Sequence, residues 1–372
     1  MSNIKKSIIL TVILSLLLSF SVSAEAVIPF EGEGTQENPY LIGTAEEMYE
    51  FAEIVNGGYS FENEYLKLTS DVLLYDLSDN TAEIVTTWTP IGVDYSVAFR
   101  GTFDGDNHTI RGVYINSDKN YQALFGCMYG GAIRNVILSD SYIKGHYAVA
   151  GIVASHLSVY EWEHNDGVVE NCVNNAIIVN SGFHTGGIAA FGLIVKNCTN
   201  NGDVTGVKKW VGGVAANACL IENSVNNGNV TGTEDVAGVC YSTYCEQEHK
   251  YETGVFGCTN NGNVKCDKSG FPVADIQLSR IENCTNNGEV ITSELPDFLL
   301  GDMDWDKKIT AADARKILRC ASKLDSDWDI YDTVVCGDFD NDGWLTAKDA
   351  RQCLRYAAGL DDYYKDFGVN IK

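Results

Sequence analysis

Aliphatic residues recur at a fixed interval through the middle of the chain, in step with a short asparagine-rich phrase. The phrase reads Asn-Cys-Thr-Asn-Asn-Gly with small changes, and its five copies begin at Asn171, Asn197, Asn223, Gly257 and Asn283. These starts are separated by 26, 26, 34 and 26 residues, and an aliphatic residue stands two positions before each copy and seven positions after its start. Short apolar runs at a fixed period predict a stacked solenoid, in which each repeat buries its face against its neighbours.

The length of the repeat predicts the shape of one coil. A period in the mid-twenties suits three short strands joined by tight turns, and Asn-Asn-Gly is expected to supply a corner with positive φ. Stacked asparagine side chains can hydrogen-bond from coil to coil, so we interpret them as structural rather than catalytic. The long interval contains eight extra residues, which predict a loop insertion between Cys240 and Thr253.

The residues before the repeats have the pattern of a cap for the solenoid. The segment from Thr44 to Asn56 is predicted as an amphipathic helix, because Thr44 and Glu47 have capping-box spacing and Gly57 follows its end. A short strand is expected just before this helix, at 39–42. We therefore assign residues 25–110 to a cap with the first coils and residues 111–296 to the repeats.

Two further phrases lead into the regular coils, Phe-Arg-Gly-Thr-Phe-Asp-Gly-Asp-Asn-His-Thr-Ile at 99–110 and Ala-Leu-Phe-Gly at 123–126. With the repeats, they make residues 30–295 resemble bacterial surface proteins of the right-handed parallel β-helix class that carry GLUG-type repeats. The resemblance implies a mainly β fold, a right-handed parallel β-helix with 26-residue coils and an N-terminal capping helix. It implies little about activity, because one fold hosts many functions.

After Pro296 the strand pattern gives way to helical periodicity. Two segments, 302–313 and 338–349, align 36 residues apart, and each places aspartates at positions 1, 3, 5 and 12 of a twelve-residue loop. Position 7 can offer a backbone carbonyl, and a threonine at position 9 can hold a bridging water, so the spacing predicts two Ca²⁺ sites. The predicted ligands are Asp302, Asp304, Asp306, Lys308 and Asp313 in the first loop and Asp338, Asp340, Asp342, Trp344 and Asp349 in the second.

The two loops differ at position 6, where the sharp turn favours glycine. The second loop has Gly343 there, but the first has Lys307. Because a non-glycine residue at positive φ is strained, we expect the first site to bind calcium more weakly than the second.

The helices that follow the two loops match each other. The corresponding residues are Ala314, Arg315, Leu318 and Arg319 in the first helix and Ala350, Arg351, Leu354 and Arg355 in the second. At these residues the segment 297–362 resembles a type I dockerin, the paired loop–helix module that binds cohesin domains on cellulosome scaffoldins. Residues 363–372 are then a C-terminal tail.

The dockerin resemblance implies a small all-α calcium-binding domain whose partner is a cohesin. Partner choice in that family depends on loop positions 10 and 11 and on the following helix face. These positions are held here by Ala311, Ala312, Leu318, Arg319, Ala347, Lys348, Leu354 and Arg355. The near-symmetry would allow either repeat to lead the docking, although an ordinary solvated helix face would carry the same arginines.

Residues 1–24 have the layout of a secretory signal peptide. Two lysines close to Met1 precede an apolar run from Ile8 to Phe20, and Val22-Ser23-Ala24 offers small residues for cleavage. The run is short for a membrane span, and no later segment reaches that length. We expect a secreted, extracellular protein with no membrane span in its mature form, and the dockerin resemblance implies that it is associated with a cellulosome.

The net charge of the chain narrows the choice of partners. The 372 residues include 51 acidic and 26 basic side chains, for a formal net charge of −25. That acidity argues against a nucleic-acid partner and disfavours polyanions such as pectate.

Several of the twelve cysteines recur once per repeat, which predicts a buried stack of small apolar groups rather than a disulfide framework. Cys240 and Cys245, in the insertion, are expected to form a disulfide.

One hypothesis for the repeat region is that it binds a plant polysaccharide or a cell surface. Aromatic side chains on a rigid β-helix can stack against sugar rings, but they can also pack against one another. The candidate aromatics are Tyr121, Tyr129, Tyr142, Tyr147, Trp162, Trp210, Tyr241 and Tyr244.

The alternative hypothesis is a polysaccharide-degrading glycoside hydrolase or lyase, which needs placed carboxylates or a basic proton acceptor. The candidate catalytic residues are Glu161, Glu163, His164 and Asp166, and a second acidic cluster contains Glu246, Glu248 and His249. Both clusters are also compatible with solvated loops, because no nucleophile motif accompanies them. His108 and His184 are expected to be turn or surface residues.

Overall fold

The computed structural model describes residues 28–76, 88–156, 167–243, 253–275, 277–292, 303, 308–322, 346–360 and 369–371. The predicted signal peptide lies outside these ranges. Within them, no helix is both long enough and apolar enough to cross a membrane.

The protein is mainly β, and within the described ranges its strands form four sheets in which all paired strands run parallel. Sheet A contains Tyr40–Ile42, Tyr65–Leu68, Thr102–Asp104, Phe125–Met128, Ala132–Arg134, Val153–His156, Val168–Glu170, Ala189–Lys196, Ala215–Glu222, Cys240–Thr243, Gly254–Phe256 and Ile281–Glu282. Sheet B contains Val72–Leu73, Thr109–Arg111, Ile137–Ser139, Val173–Asn174, Thr199–Asn200, Val225–Asn226, Thr259–Asn260 and Thr285–Asn286. Sheet C contains Tyr114–Asn116, Tyr142–Gly145, Ile177–Asn180, Val204–Gly206, Val230–Thr231, Val264–Cys266, Val290–Thr292 and Val369–Ile371. Sheet D contains Thr185–Gly186, Lys209–Gly212, Glu234–Ala237 and Gly270–Phe271.

Neighbouring strands of a sheet come from successive copies of the repeat. In sheet B, Val173 pairs with Thr199 and Thr199 pairs with Val225, so each step along the sheet advances the chain by one copy. The insertion lengthens one copy without changing the order, because Val225 pairs next with Thr259. This arrangement of stacked coils is compatible with a parallel β-helix-like fold.

The periodic aliphatic residues form two internal rows. Four of the residues two positions before the phrase are fully buried and pair in register in sheet A, while the fifth, Ile281, is partly buried at the end of the row. The row seven positions after the start of the phrase is fully buried in sheet C. Burying one such side chain contributes about 1.5–3 kcal/mol, so the two rows supply much of the drive to stack.

The corner of each coil lies at the first residue of the phrase. That residue has φ of 53° at Asn171, 52° at Asn197 and 48° at Asn223, and Gly257 takes the same place with 61°. The prediction that Asn-Asn-Gly supplies the positive φ is therefore wrong. Its glycine is required for a different reason, because a Cβ at Gly202 would lie 1.8 Å from the carbonyl oxygen of Ala176 in the preceding coil.

The N-terminal helix, α1 (Ala45–Asn56), begins and ends where the sequence predicts. The hydroxyl of Thr44 accepts a hydrogen bond from the Glu47 amide at 3.1 Å, and the Glu47 carboxylate accepts one from the Thr44 amide at 3.0 Å. The helix buries Met48, Phe51, Ala52 and Val55. Its Phe51 ring contacts four phenylalanine rings of the first coils, Phe61, Phe99, Phe103 and Phe125, so the helix closes the end of the core.

The described part of the C-terminal segment contains two helices, α2 (Ala311–Ala321) and α3 (Ala347–Ala357), which pack against each other. They bury Ala314 and Ile317 from α2 and Ala350 and Cys353 from α3. Within the predicted tail, Val369–Ile371 pairs with Val290–Thr292 at the end of sheet C.

The phrase cysteines form one row along the coils, as the sequence predicts. Cys172, Cys198, Cys258 and Cys284 occupy it together with Ser224. The predicted disulfide between Cys240 and Cys245 is wrong, because Cys240 is a free thiol. Cys240 is fully buried and faces the core, where its Sγ lies 3.2 Å from the carbonyl oxygen of Ser242.

Candidate functional site

The two loop–helix repeats hold their final aspartates in the same way. Asp313 and Asp349 are 1% and 0% exposed. Oδ2 of Asp313 accepts hydrogen bonds from the amide and the hydroxyl of Thr310 at 2.9 and 2.8 Å. Oδ2 of Asp349 accepts the corresponding bonds from Thr346 at 2.9 and 2.7 Å. The repeats thus share one capping arrangement at the start of the helix.

The position of these carboxylates fits a calcium ligand at loop position 12. Position 12 is the place where such loops donate a carboxylate to the ion. Lys308 is exposed. This is compatible with its predicted role, because a residue at loop position 7 would bind the ion through its backbone carbonyl and not through its side chain. The other predicted ligands, Asp302, Asp304, Asp306, Asp338, Asp340, Asp342 and Trp344, lie outside the described ranges. In the residues that are described, no group of three or more His, Cys, Asp or Glu side chains forms a metal site.

The predicted cohesin-contact residues all lie on the surface. Ala311, Ala312, Arg319, Ala347, Lys348 and Arg355 are exposed. Leu318 is 45% exposed and its counterpart Leu354 is 47% exposed. Each helix therefore presents an exposed leucine beside an arginine, in equivalent positions of the two repeats.

A second feature lies at a corner of the repeat region, next to sheet D. One position of this corner is occupied in successive coils by Tyr121, Ala148, His184, Trp210 and Asp235, whose φ values are 57°, 52°, 61°, 66° and 60°. A bulky aromatic residue rarely adopts this left-handed conformation. Strain of this kind is concentrated at functional sites, so the corner is a candidate site.

The aromatic rings at this corner form a continuous line, which we call the aromatic row. It consists of Tyr95, Tyr121, Tyr147, His184 and Trp210. Successive ring centroids lie 4.9, 6.0, 5.2 and 4.6 Å apart. The tyrosines and the tryptophan are partly exposed, and small buried alanines pack beneath Tyr121 and Tyr147.

Polar groups of the neighbouring sheet A strands fix the aromatic row. Nδ1 of His184 lies 2.7 Å from the side-chain oxygen of Asn217, and the Asn217 amide donates in turn to Ser242. Burial lowers the pKa of His184 to about 4, so the imidazole is neutral at pH 7 and Nδ1 carries the proton that Asn217 accepts. The Tyr95 hydroxyl is 2.8 Å from that of Ser155. His184 is a turn residue, as predicted, but it is only 6% exposed because the neighbouring rings cover it.

Two carboxylates that the sequence did not single out lie in the coils after Trp210. Asp235 occupies the corner after Trp210 and accepts a hydrogen bond from the Ser269 hydroxyl at 3.0 Å. Asp275 is 7% exposed and accepts one from the Gln277 amide at 2.9 Å. Burial raises the pKa of Asp235, and it raises the pKa of Asp275 to about 6. A carboxyl group with such a pKa can act as a proton donor near neutral pH.

Some of the remaining candidates are packed against other side chains, and the others lie outside the described residues. Tyr129 is buried against His156 and beneath Arg100, and Tyr142 stacks on Tyr114 on sheet C. Tyr241 is buried. The structure does not describe Glu161, Trp162, Glu163, His164, Asp166, Tyr244, Glu246, Glu248 or His249.

No protein-family model matches the chain. A stretch of 144 residues is 35% identical to a candidate glycine-rich membrane protein of Evansella cellulosilytica, over 38% of this chain and 15% of that protein. A stretch of 135 residues is 30% identical to halomucin of Haloquadratum walsbyi, over 34% of this chain and 1% of halomucin. The chain thus spans only a small part of the length of these relatives.

Among solved structures, the chain is similar to a candidate immunoglobulin A1 protease from Bacteroides ovatus. The TM-score is 0.56 and the sequence identity is 21%, over 71% of this chain and 80% of that chain. At this identity the likeness concerns the fold alone, a mainly β protein with several parallel sheets.

Proposed function

We propose that the chain is a secreted subunit that docks onto the cohesin domains of a cellulosome scaffoldin through a calcium-dependent type I dockerin at 297–362. The duplication of the loop–helix unit is the observation that carries this proposal. Helices α2 and α3 start 36 residues apart in sequence, each behind a threonine that is bound to a buried aspartate. Each helix also exposes a leucine beside an arginine, so two equivalent surfaces are available to a partner.

The residues of the two loops are suited to hold two calcium ions. Calcium, when bound, neutralises the loop carboxylates and orders the loop that leads into each helix. Asp313 and Asp349 hold the start of each helix through the threonine caps. Ordering of a loop by calcium would therefore also position the helix that carries the exposed leucine and arginine. Arginine beside an apolar anchor is a frequent composition at interface hot spots.

Retention of the full chain on a panel of immobilised cohesins tests the docking. We expect binding in the presence of calcium and its loss on addition of EDTA. The double variant Leu318→Asp with Leu354→Asp should abolish binding, whereas Leu360→Asp, at another exposed leucine outside the two faces, should retain it. Absence of binding to every cohesin in calcium would overturn the proposal.

We further propose that the repeat region, as a right-handed parallel β-helix, binds an extended neutral polysaccharide along the aromatic row. The partly exposed rings of Tyr121, Tyr147 and Trp210 support this, because aromatic faces stack on sugar rings. The net charge of −25 also favours a neutral ligand over a polyanion.

Co-sedimentation of the chain with insoluble xylans and glucans tests the binding. Trp210→Ala and Tyr147→Ala should weaken it on the order of tenfold each, which corresponds to the loss of about 1.4 kcal/mol. Tyr142→Ala is the matched control, since Tyr142 is also a half-buried ring in a stacked pair, but on sheet C. Equal losses in all three variants would contradict a role for the aromatic row.

The alternative function is a glycoside hydrolase or lyase, and the buried Asp275 is the observation in its favour. Release of oligosaccharides from pectins, xylans or glucans would support it if Asp275→Asn removed the activity. Binding of a polysaccharide without release of product would favour a binding role for the aromatic row.

A further inference from the structure

The cysteine row contains two pairs of neighbouring thiols. Cys172 and Cys198 adjoin each other in successive coils, as do Cys258 and Cys284, and Ser224 separates the pairs. Ser224 takes the same place as the cysteines, because its hydroxyl accepts a hydrogen bond from the Cys198 amide at 3.1 Å and donates one to the carbonyl oxygen of Glu222 at 2.9 Å. A serine is thus accommodated in this row without a change in the backbone path.

The two members of each pair are close enough to bond. Thr259 and Thr285, which directly follow Cys258 and Cys284, are paired in register on neighbouring parallel strands. Neighbouring strands lie about 4.8 Å apart, and a disulfide requires a Cα separation of roughly 4.4–6.8 Å. The amide of Cys258 also lies 3.3 Å from Sγ of Cys284, so the Cys284 sulfur already faces its neighbour.

The pairs differ in access to solvent and in acidity. Cys172 and Cys198 are fully buried, whereas Cys284 is partly exposed at the end of the row. Burial raises the pKa of the Cys172 thiol, which keeps it protonated and inert. A hydrogen bond from the Cys258 thiol lowers the pKa of Cys284 to about 7, and that same bond together with burial raises the pKa of Cys258. Cys284 is therefore the thiol that reaches the reactive thiolate form in neutral solution.

We propose that Cys258 and Cys284 form a redox-active pair, in which Cys284 reacts first with a low-molecular-weight disulfide and Cys258 completes an internal disulfide between the last two coils of the row. The Cys284 thiolate attacks one sulfur of the external disulfide, and the first external thiolate leaves and takes up a proton. The Cys258 sulfur then loses its proton and attacks the Cys284 sulfur, which releases the second external thiol. One disulfide is reduced to two thiols, and the two cysteines are oxidised to one disulfide.

The internal disulfide closes the chain between residues 258 and 284, so it restricts the unfolded state and holds the end of the solenoid. The coils nearest this end have fewer neighbours to bury them, because a solenoid repeat is stabilised by the repeats on either side. The oxidised pair thus acts as a staple where the stack ends.

The test incubates the reduced full chain with oxidised glutathione without denaturant, then alkylates remaining thiols in denaturant and maps the peptides by mass spectrometry. We expect a peptide that links Cys258 to Cys284, with Cys172 and Cys198 alkylated. The oxidised chain should melt at a higher temperature than the reduced chain.

Two serine variants separate the steps of the reaction. Cys258→Ser should leave a stable mixed disulfide with glutathione on Cys284, and Cys284→Ser should abolish both products and the shift in melting temperature. Cys172→Ser is the control and should leave the Cys258–Cys284 bond unchanged. The proposal is overturned if Cys258 and Cys284 remain alkylated in the wild type, if the wild type stops at the mixed disulfide, or if Cys172 and Cys198 oxidise equally fast.

Discussion

The side-chain amide of Asn200 donates a hydrogen bond of 2.8 Å to the side-chain oxygen of Asn226, one coil further along the stack. The same amide donates to the carbonyl oxygen of Gly202 at 2.8 Å, and the side-chain oxygen of Asn200 accepts from Asn174. Asn260 and Asn286 continue the ladder. These asparagines are buried, or partly buried in the case of Asn286, so the ladder satisfies polar groups inside the core from coil to coil.

We predict that Asn200→Ala lowers the free energy of unfolding by about 3 kcal/mol, because the Asn174 amide, the side-chain oxygen of Asn226 and the carbonyl of Gly202 each lose the buried hydrogen bond that Asn200 supplies. The adjacent Asn201 offers a matched control. It belongs to an exposed ladder and also bonds its counterparts, Asn175 and Asn227, at 2.8 and 2.7 Å. Asn201→Ala should cost less than about 1 kcal/mol, since water replaces the lost bonds. Urea unfolding of both variants measures the difference, and equal losses would show that burial of the ladder is unimportant.

The sequence predicted the stack because its period is visible in the letters. The aliphatic rows around Val195 and Val204, the cysteine row and the capping helix each depend on spacing within one or two repeats, and all are confirmed. Spacing alone did not show which asparagine turns the corner. Asn197 and Asn200 both suit a turn, but only Asn197 of the two has positive φ, and Asn200 lies in the buried ladder instead.

The aromatic row could not be found from the phrase. Tyr121 and Tyr147 are 26 residues apart, but Tyr147 and His184 are 37 apart, because the coil between the corner residues Ala148 and His184 is 36 residues long and Tyr147 stands one residue before the corner. Such contacts follow from the stacking of coils rather than from a repeated letter. The sequence did not indicate Asp275 either, because no motif surrounds it. Its pKa is raised by burial, which only the folded structure shows.

The neutral His184 predicts an acid-sensitive core. Its pKa is about 4 in the folded state and about 6.5 unfolded, so the unfolded state binds the proton more readily between these values. The contribution of His184 to the free energy of unfolding is therefore fully present above pH 6.5, and it declines by on the order of 3 kcal/mol as the pH falls to 4. His184→Asn, which tolerates positive φ, should remove this dependence. Thermal unfolding of both proteins between pH 4 and 7 measures it, and parallel curves would contradict the assignment.

Asp275 predicts a dependence of opposite sign. Burial raises the pKa of this carboxyl to about 6, so the folded state favours the protonated form and stability is lost as the pH rises from 3.8 through 6. Asp275→Asn should thus stabilise the protein above pH 6, by on the order of 3 kcal/mol, and have little effect below pH 4. The control is Asp203→Asn, at an exposed aspartate of the repeats. Denaturant titrations at pH 4 and 8 decide the matter, and a gain at both pH values would point to packing instead of charge.

The duplicated loops predict two calcium sites of unequal affinity. Both repeats hold position 12 alike, through Thr310 with Asp313 and Thr346 with Asp349. The difference lies at position 6, where Lys307 stands in the first loop and Gly343 in the second. Positive φ is strained for lysine but not for glycine, so the first site should bind calcium more weakly.

Calcium titration of the full chain by calorimetry should resolve two steps. Asp349→Ala should remove the tighter step and Asp313→Ala the weaker one, because position 12 supplies a carboxylate to each ion. Lys307→Gly should bring the two affinities together by strengthening the first site, on the order of fivefold if the relieved strain is about 1 kcal/mol. A single step with two equivalent ions in the wild type would show that the first loop reaches its turn without positive φ at Lys307.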